Sequence, residues 1–436
     1  MSQQIAVPRV AVGEYGWRVV FAGMGINLAL GILYTWSVIA GGIPEEWGWD
    51  MADKSWPYSV ACLVFCLIMV PAGRMQDKFG PRIVAAIGGI LVGLGFIVAS
   101  MTTSLVGFVI GFGVLAGAGI GFGYASATPA AVKWFPAAKT GLIAGIVVSG
   151  FGLASVYAAP LAKFLIVQYG LQKMMLIMGV GFLFLITGLK TLLTPLWFGL
   201  SQLLQAPDPE LMQLKEFKEH MEGKVTKEAP VYDKDNLTPK EMLRTPQFYM
   251  LWFMYACGAG AGLMIISVVK NIVKAQISSE SLAIAAVVGL AIGNGGGRII
   301  AGMLSDKLGR KVTLFMFLVG QAILILLLTM TDKVSVLATG PALITITALI
   351  GASYGSNLAL FPAITKDFFG LKNFGMNYGL VFTAWGIGGF LLAKLAGTMY
   401  VKSGGSFNFA YYTASGLLIA AAVMVFFLKP PKHLEE

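Results

Sequence analysis

The feature that most constrains this chain is a succession of apolar runs, each long enough to cross a lipid bilayer. A helix spans the hydrocarbon core with about 20 apolar residues, within a range of about 17–25. Twelve such runs follow one another, near residues 17–40, 57–75, 83–102, 106–129, 141–168, 173–199, 247–270, 281–304, 312–331, 337–362, 376–400 and 408–428. None shows the period-two alternation of a barrel strand, so the backbone polar groups must be satisfied within helices. Of the 436 residues, 57% are hydrophobic and 12% charged, whereas soluble domains carry about 25% charged residues. That composition excludes a soluble enzyme, a disordered chain and a nucleic-acid-binding domain, and makes the bilayer a partner of the whole fold.

One long polar stretch interrupts the pattern. Residues 200–246 hold nine acidic and seven basic residues, with Pro207, Pro209, Pro230 and Pro239. The chain therefore reads as six spans (1–199), a linker (200–246) and six more spans (247–436). Within the linker, Leu214, Phe217 and Met221 recur at helical spacing. Residues 211–221 are thus a candidate amphipathic helix on the membrane surface, against a solvated tether. With both termini inside, the termini and inner loops carry 21 Lys and Arg, and the outer loops six. The excess places termini and linker in the cytoplasm, as expected of a multi-pass protein of the cytoplasmic (inner) membrane. The net charge of +10 is then topological and calls for no polyanion. Cys62, Cys66 and Cys257 sit in apolar runs, and His220 and His433 are the only histidines. No metal spacing is visible, and neither metal nor cofactor is expected.

The two halves echo each other. Gly73-Arg-Met-Gln-Asp77-Lys78-Phe-Gly80-Pro-Arg82 recurs in the second half as Gly302-Met-Leu-Ser-Asp306-Lys307-Leu-Gly309-Arg310-Lys311. Pro129-Ala-Ala-Val-Lys133-Trp-Phe135 recurs as Pro362-Ala-Ile-Thr-Lys366-Asp-Phe368. A third match pairs Gly141-Leu142 and Gly150 with Gly379-Leu380 and Gly388. The three stand in the same order in both halves and point to a duplicated six-helix unit. In the loop motif, Gly80 and Gly309 permit positive φ, while Gly73 and Gly302 permit close helix approach. Asp77 and Asp306 can accept from a helix N-terminus or a nearby cation, latching the inner face with Lys78, Lys307 and Arg310 as the motif's basic partners.

These paired G-x-x-x-D-[RK]-x-G-x-[RK] loops on a six-plus-six frame resemble the major facilitator superfamily. A narrower resemblance, to the oxalate/formate antiporter family and its monocarboxylate-transporter relatives, rests on four segments: Glu241-Met-Leu-Arg-Thr-Pro-Gln-Phe248, Asn294-Gly-Gly-Gly-Arg298, Trp134-Phe-Pro136 and Asn377-Tyr-Gly379. The resemblance implies an all-α membrane protein of two pseudo-symmetric six-helix bundles, a central site near the midplane, and rocking-type alternating access.

Charge inside the spans is scarce. All 21 Asp and Glu fall outside the apolar runs or at their ends, whereas Lys163, Lys190, Arg298 and Lys394 fall within. Lys163 and Lys190 lie near span ends and can snorkel. Arg298 lies deep in the eighth span. A charge there costs about 2.5–3.5 kcal/mol on insertion scales, and a guanidinium cannot discard its proton. With no protein carboxylate available, its natural partner is a substrate carboxylate held by two parallel hydrogen bonds. Asn294, one turn back, can hold a second oxygen or orient Arg298. Lys394, toward the outer end of the eleventh span, is a candidate second cation, a mouth residue or a snorkelling lysine. Near span centres Asn27, Tyr34, Tyr124, Tyr354, Asn357 and Thr383 are candidates for cavity lining or for helix packing.

The narrower resemblance sharpens the substrate. In oxalate exchangers of that family a second cation on the eleventh helix faces the arginine. Aligned on Tyr378-Gly379, that position here is Trp385, which argues against oxalate and for a monocarboxylate such as lactate, pyruvate, acetate or formate. The expectation is a secondary carrier of small carboxylates working as a monomer, with protons as the expected co-substrate and obligate exchange and uniport left open. An oxalate/formate-type exchanger, an anion channel and a transporter-like receptor are the alternatives.

Overall fold

The computed structural model describes residues 12–49, 51–136, 139–187, 200–205, 207, 236–331, 336–403 and 406–431. Among these, eleven helices are long and apolar enough to cross a membrane. One of them, Thr140–Thr187, is 48 residues long and breaks at Gly170, where φ is 81° and ψ 166°. At 1.5 Å per residue it would otherwise run about 70 Å, more than twice the hydrocarbon thickness. Counting it as two spans on either side of that corner gives twelve, in an all-helical membrane architecture.

We label these α1 (Val12–Leu30, continued by a tighter turn Gly31–Thr35 and Trp36–Gly41), α2 (Met51–Phe79), α3 (Pro81–Ser100), α4 (Leu105–Val132), α5 (140–169) and α6 (171–187). The second half comprises α7 (Pro246–Ile277), α8 (Glu280–Leu308), α9 (Arg310–Leu327), α10 (Gly340–Phe369), α11 (Phe374–Lys402) and α12 (Asn408–Phe427). Lys190 and the 211–221 stretch lie outside the described residues. We call the side on which α1 begins and α12 ends the terminal face.

The halves meet along two helix pairs, α5 with α8 and α2 with α11. Glycine makes both approaches possible. A Cβ at Gly141, Gly145 or Gly152 of α5 would run into Gly302, the Arg298 carbonyl or Gly295 of α8. Likewise a Cβ at Gly375, Gly379 or Gly386 of α11 would run into Gly73, the Met69 carbonyl or Cys66 of α2. Gly302, Arg298 and Gly295 are spaced along α8 as Gly73, Met69 and Cys66 are along α2, and the glycines of α5 and α11 share their spacing too. The packing therefore corrects the register of the third sequence match. Gly141 corresponds to Gly375, not Gly379, a shift of about one helical turn. The repeated Gly-Leu pair is a coincidence of composition: Gly375 and Gly379 both face the backbone of α2, and it is Gly375 that meets Gly73 as Gly141 meets Gly302.

The loop motif takes the conformation its glycines permit: Gly80 and Gly309 have φ of 81° and 89° and precede α3 and α9. The described ends of the linker are fastened to the two halves. Gln205 accepts from Tyr15 and Arg82 through its side chain (2.8 and 2.7 Å) and from the Trp134 indole through its carbonyl (2.6 Å). At the other end, Asn236 Oδ1 accepts from the Leu371 and Lys372 amides, and the Leu237 carbonyl accepts from Asn373 and Asn377.

Candidate functional site

Arg298 sits at the centre of the fold and is fully buried. It projects from α8 where Gly145 lets α5 come against its backbone. Its Nε donates to Asn294 Oδ1 at 3.1 Å, one turn back on the same helix. Its Nη1 donates to the Val148 carbonyl of α5, so the guanidinium bridges the two halves. Nη2 has no hydrogen-bond partner of good geometry, and no Asp or Glu among the described residues pairs with the group. The Phe151 ring lies 6.0 Å from the guanidinium carbon, close enough for a cation–π contribution. The Tyr34 hydroxyl interacts with the guanidinium from α1.

An aromatic wall completes the site. Tyr34 and Tyr354, one from each half, share a hydrogen bond of 2.5 Å between hydroxyls, and Trp385 Nε1 donates to the Tyr354 oxygen at 2.8 Å. Tyr34 packs edge-on against Phe151 at 5.0 Å, and Trp385 stacks on Phe382 at 5.2 Å. In the corrected register Phe151 is the counterpart of Trp385, so each half contributes one large ring at the same level. The counterparts of Asn294 and Arg298 in the first half are Phe65 and Met69. The duplication thus keeps its cation in one half and an apolar surface in the other. A cavity of about 40 Å³ lies beside this cluster, lined by Tyr34, Ser155, Ser267, Leu290 and Asn294 among others. It extends from Asn294 away from the terminal face, and has room for a few waters at roughly 10–15 Å³ each.

The terminal face is closed by two pseudo-equivalent contacts. Asp77 at the end of α2 accepts from the Gly375 and Met376 amides that begin α11, at 3.2 and 3.1 Å. Asp306 at the end of α8 accepts from the Gly141 and Leu142 amides that begin α5, at 3.0 and 2.8 Å. Each carboxylate thus faces the positive end of a helix in the opposite half. The second contact is more heavily built. Arg310 bonds Asp306 at 2.5 Å and Asp367 at 2.8 Å, and Lys366 donates to Thr140 Oγ1 at 2.6 Å. In the first copy, Pro81 stands where Arg310 stands and Trp134 where Asp367 stands. Lys133, just past α4, is held below the usual lysine range by burial, against the opposing pull of Asp77.

Among the sequence-derived candidates, the structure gathers Arg298, Asn294, Tyr34, Tyr354 and Trp385 into one cluster. Tyr124 joins its rim, edge-on to Phe151 and Phe65 at 5.5 Å each. Asn357 is not part of it: its amide donates to the Ser353 and Tyr354 carbonyls and faces Gln321 of α9 and Gly258 of α7. Lys394 also lies apart, exposed, with Nζ 5.8 Å from the Phe390 ring. Lys163 is exposed, as are Lys78 and Lys307. Thr383 accepts from the Trp252 indole, and Asn27 donates to the Val147 carbonyl of α5. Phe151, Phe382 and the Val148 carbonyl escape sequence reasoning, because rings and carbonyls in an apolar run carry no mark of their own. The register that aligns Gly141 with Gly375 would have paired Phe151 with Trp385.

Comparison with known proteins gives a consistent frame. The family model described as Major Facilitator Superfamily matches residues 28–291 and 251–436. An uncharacterized MFS-type transporter, YhjX of Escherichia coli (strain K12), is 29% identical over 377 residues, covering 85% of each chain. The oxalate:formate antiporter of Oxalobacter formigenes is 29% identical over 381 residues, covering 86% of this chain and 82% of its own. The human monocarboxylate transporter 11 is 23% identical over 420 residues, covering 94% and 81%. Among solved structures, the proton:xylose symporter XylE superposes with a TM-score of 0.69 at 13% identity, covering 96% of this chain and 97% of that one.

Proposed function

We propose that this chain, which belongs to the major facilitator superfamily and is thereby a multi-pass membrane transporter, carries small monocarboxylates of the lactate and pyruvate type by alternating access. One observation carries the reading. A fully buried guanidinium, with no carboxylate partner among the described residues and with one nitrogen lacking a hydrogen bond of good geometry, stands beside a cavity between the halves. Such a cation favours a ligand that brings its own negative charge. The names of two relatives, an oxalate:formate antiporter and a monocarboxylate transporter, point to the same chemistry.

In this reading the substrate carboxylate takes Nη2 of Arg298 and competes for Nη1, which the Val148 carbonyl now holds. Asn294 orients the guanidinium, and Tyr34 supplies a hydroxyl. Trp385 and Phe151 flank the apolar tail. One cation at this depth matches one carboxylate, which favours a monocarboxylate over oxalate. Because the Arg298–Val148 bond joins the halves, a ligand that displaces it alters the relative stability of the closed and open states, which is the differential affinity that coupling requires. Asp77, Asp306 and Arg310 serve as the latch of the terminal face. The excess of Lys and Arg on that face supports its assignment to the cytoplasm.

Every Asp and Glu in a described helix lies within a turn of that helix's end, so no carboxylate at substrate depth is available there to carry a proton. Exchange of one monocarboxylate for another, neutral at the loaded site, is the mode this geometry supports. Proton-coupled uptake, expected from the resemblance, needs the proton to travel by another route. The test is thermal stabilisation by a panel of mono- and dicarboxylates at two pH values, followed by counterflow of the best ligand in proteoliposomes. A carrier gives saturable, stabilising monocarboxylates and counterflow; a channel gives no counterflow. Stronger stabilisation by oxalate than by any monocarboxylate would favour the exchanger.

A further inference from the structure

Three phenol hydroxyls are buried together on the terminal-face side of the Arg298 cluster. Tyr124 comes from α4, Tyr255 from α7 and Tyr378 from α11, so the group straddles both halves. Their rings surround Phe382, with centroids 5.3, 6.0 and 5.7 Å from it. All three residues are at most 2% exposed. Tyr378 interacts with both of the others, yet none of the three hydroxyls has a hydrogen bond of good geometry. Along α11, Tyr378 lies about two turns, or about 10 Å, nearer the terminal face than Trp385.

Packing does not account for this arrangement. Phenylalanine would fill the same space, as Phe361 does where it stacks on Tyr255 at 4.2 Å, and would leave no buried hydroxyl short of a partner. The apolar neighbours Phe65, Phe361, Phe374 and Phe382 offer no acceptor, so each hydroxyl has only the other phenols to turn to. The three phenols can partner only one another, and at poor geometry, whereas a carboxylate, with about four acceptor sites, can take all three O–H groups at once. The group stands between Arg298 and the face closed by Asp77 and Asp306. An anion leaving Arg298 for that face otherwise passes from a cation directly into an aromatic layer.

We propose that Tyr124, Tyr255 and Tyr378 form a second, uncharged carboxylate station, occupied on the terminal-face side of Arg298 when the two aspartate-capped contacts open. The station supplies hydrogen bonds without a counter-charge, so it binds more weakly than Arg298 and releases more readily. This proposal rests on the carboxylate reading of Arg298.

The experiment separates the two claims. Wild type, Tyr255→Phe, Tyr378→Phe and the double variant are reconstituted with known orientation. Exchange of radiolabelled pyruvate is measured with the concentration varied at each face in turn, and pyruvate-dependent thermal stabilisation is measured in detergent. The proposal expects a dissociation constant within about twofold of wild type for all variants. It expects the double variant's KM at the terminal face to rise about tenfold, the scale of lost hydrogen bonds to a charged group, with KM at the other face unchanged. No change at either face, or an equal change at both, overturns the station. Lost stabilisation in the double variant also overturns it, because the hydroxyls then belong to the Arg298 site or to the fold; the melting temperature without ligand distinguishes these. If no carboxylate stabilises even the wild type, the reading of Arg298 fails first and the station with it.

Discussion

A methyl group added at Gly379 would stand 2.5 Å from the Met69 carbonyl oxygen, 2.9 Å from its carbon and 3.0 Å from Val70 Cα. Ordinary contact begins near 3.4 Å, so α11 and α2 must part by several tenths of an ångström, and the obstruction is backbone that cannot rotate aside. Overpacking of this kind costs about 1–3 kcal/mol. The cost falls only on the state in which the halves are closed at the terminal face, because the clash lies between halves. The gain in helix propensity, about 1 kcal/mol, is the same in both states and cancels. The closed-to-open ratio of Gly379→Ala should therefore fall by about 5–150-fold. Gly320→Ala is the control, since a Cβ there meets nothing within 4 Å. Spin labels at Lys78 and Lys307, exposed in the last turns of α2 and α8 in opposite halves, report the separation by pulsed electron resonance. Gly379→Ala should move population to longer distances and Gly320→Ala should not. Identical distributions for the two variants would refute the claim that these glycines set the closed state.

Other contacts carry their own consequences. Asp306→Asn should open the terminal face more than Asp77→Asn, because its two amide contacts with the opposite half are the shorter pair, 3.0 and 2.8 Å against 3.2 and 3.1 Å; the same spin labels rank them, and equal effects would count against the heavier latch. Trp385→Lys adds a second cation at substrate depth and should raise oxalate above pyruvate in a thermal-shift ranking within that variant; an unchanged ranking would show that Trp385 does not set the charge preference. The Glu241 carboxyl is held below the usual carboxylate range of 4.5 by hydrogen bonds from the Thr238 amide and hydroxyl. Its folded value lies below its unfolded one, so the stabilisation of this cap is present above 4.5 and lost as pH falls through the folded value. The protection of amides at the start of the 238–242 turn, taken relative to their intrinsic exchange at each pH, should fall over that acid range, and Glu241→Gln should flatten the dependence.

Much of this architecture can be read from residue order alone, and the reasons are physical. Apolar runs of bilayer length leave helices as the only solution, and Gly80 and Gly309 mark turns by a conformation other residues resist. Arg298 is legible because a permanent charge deep in a span demands an explanation. The failures share a cause. Position along a helix gives depth but not azimuth, so sequence leaves Asn357 open between cavity lining and helix packing, and only the fold turns it toward Gln321 and Gly258. The register of the third repeat slips by one turn because Gly375 and Gly379, one turn apart on α11, both meet the backbone of α2, and only Gly379 is followed by leucine. Tyr255, Tyr378 and Phe151 lie in apolar runs where an aromatic ring is ordinary until its neighbours from other helices are known.

The central claim is that the cargo's carboxylate neutralises Arg298. Calorimetric titration of pyruvate into the wild type, Arg298→Lys and Arg298→Gln tests it most directly, with melting temperatures recorded alongside. Loss of a charge-assisted hydrogen bond removes about 1.5–3 kcal/mol. Both variants should therefore bind at least about tenfold more weakly while remaining folded, Arg298→Gln the more severely. Undiminished binding by folded Arg298→Gln would contradict the account.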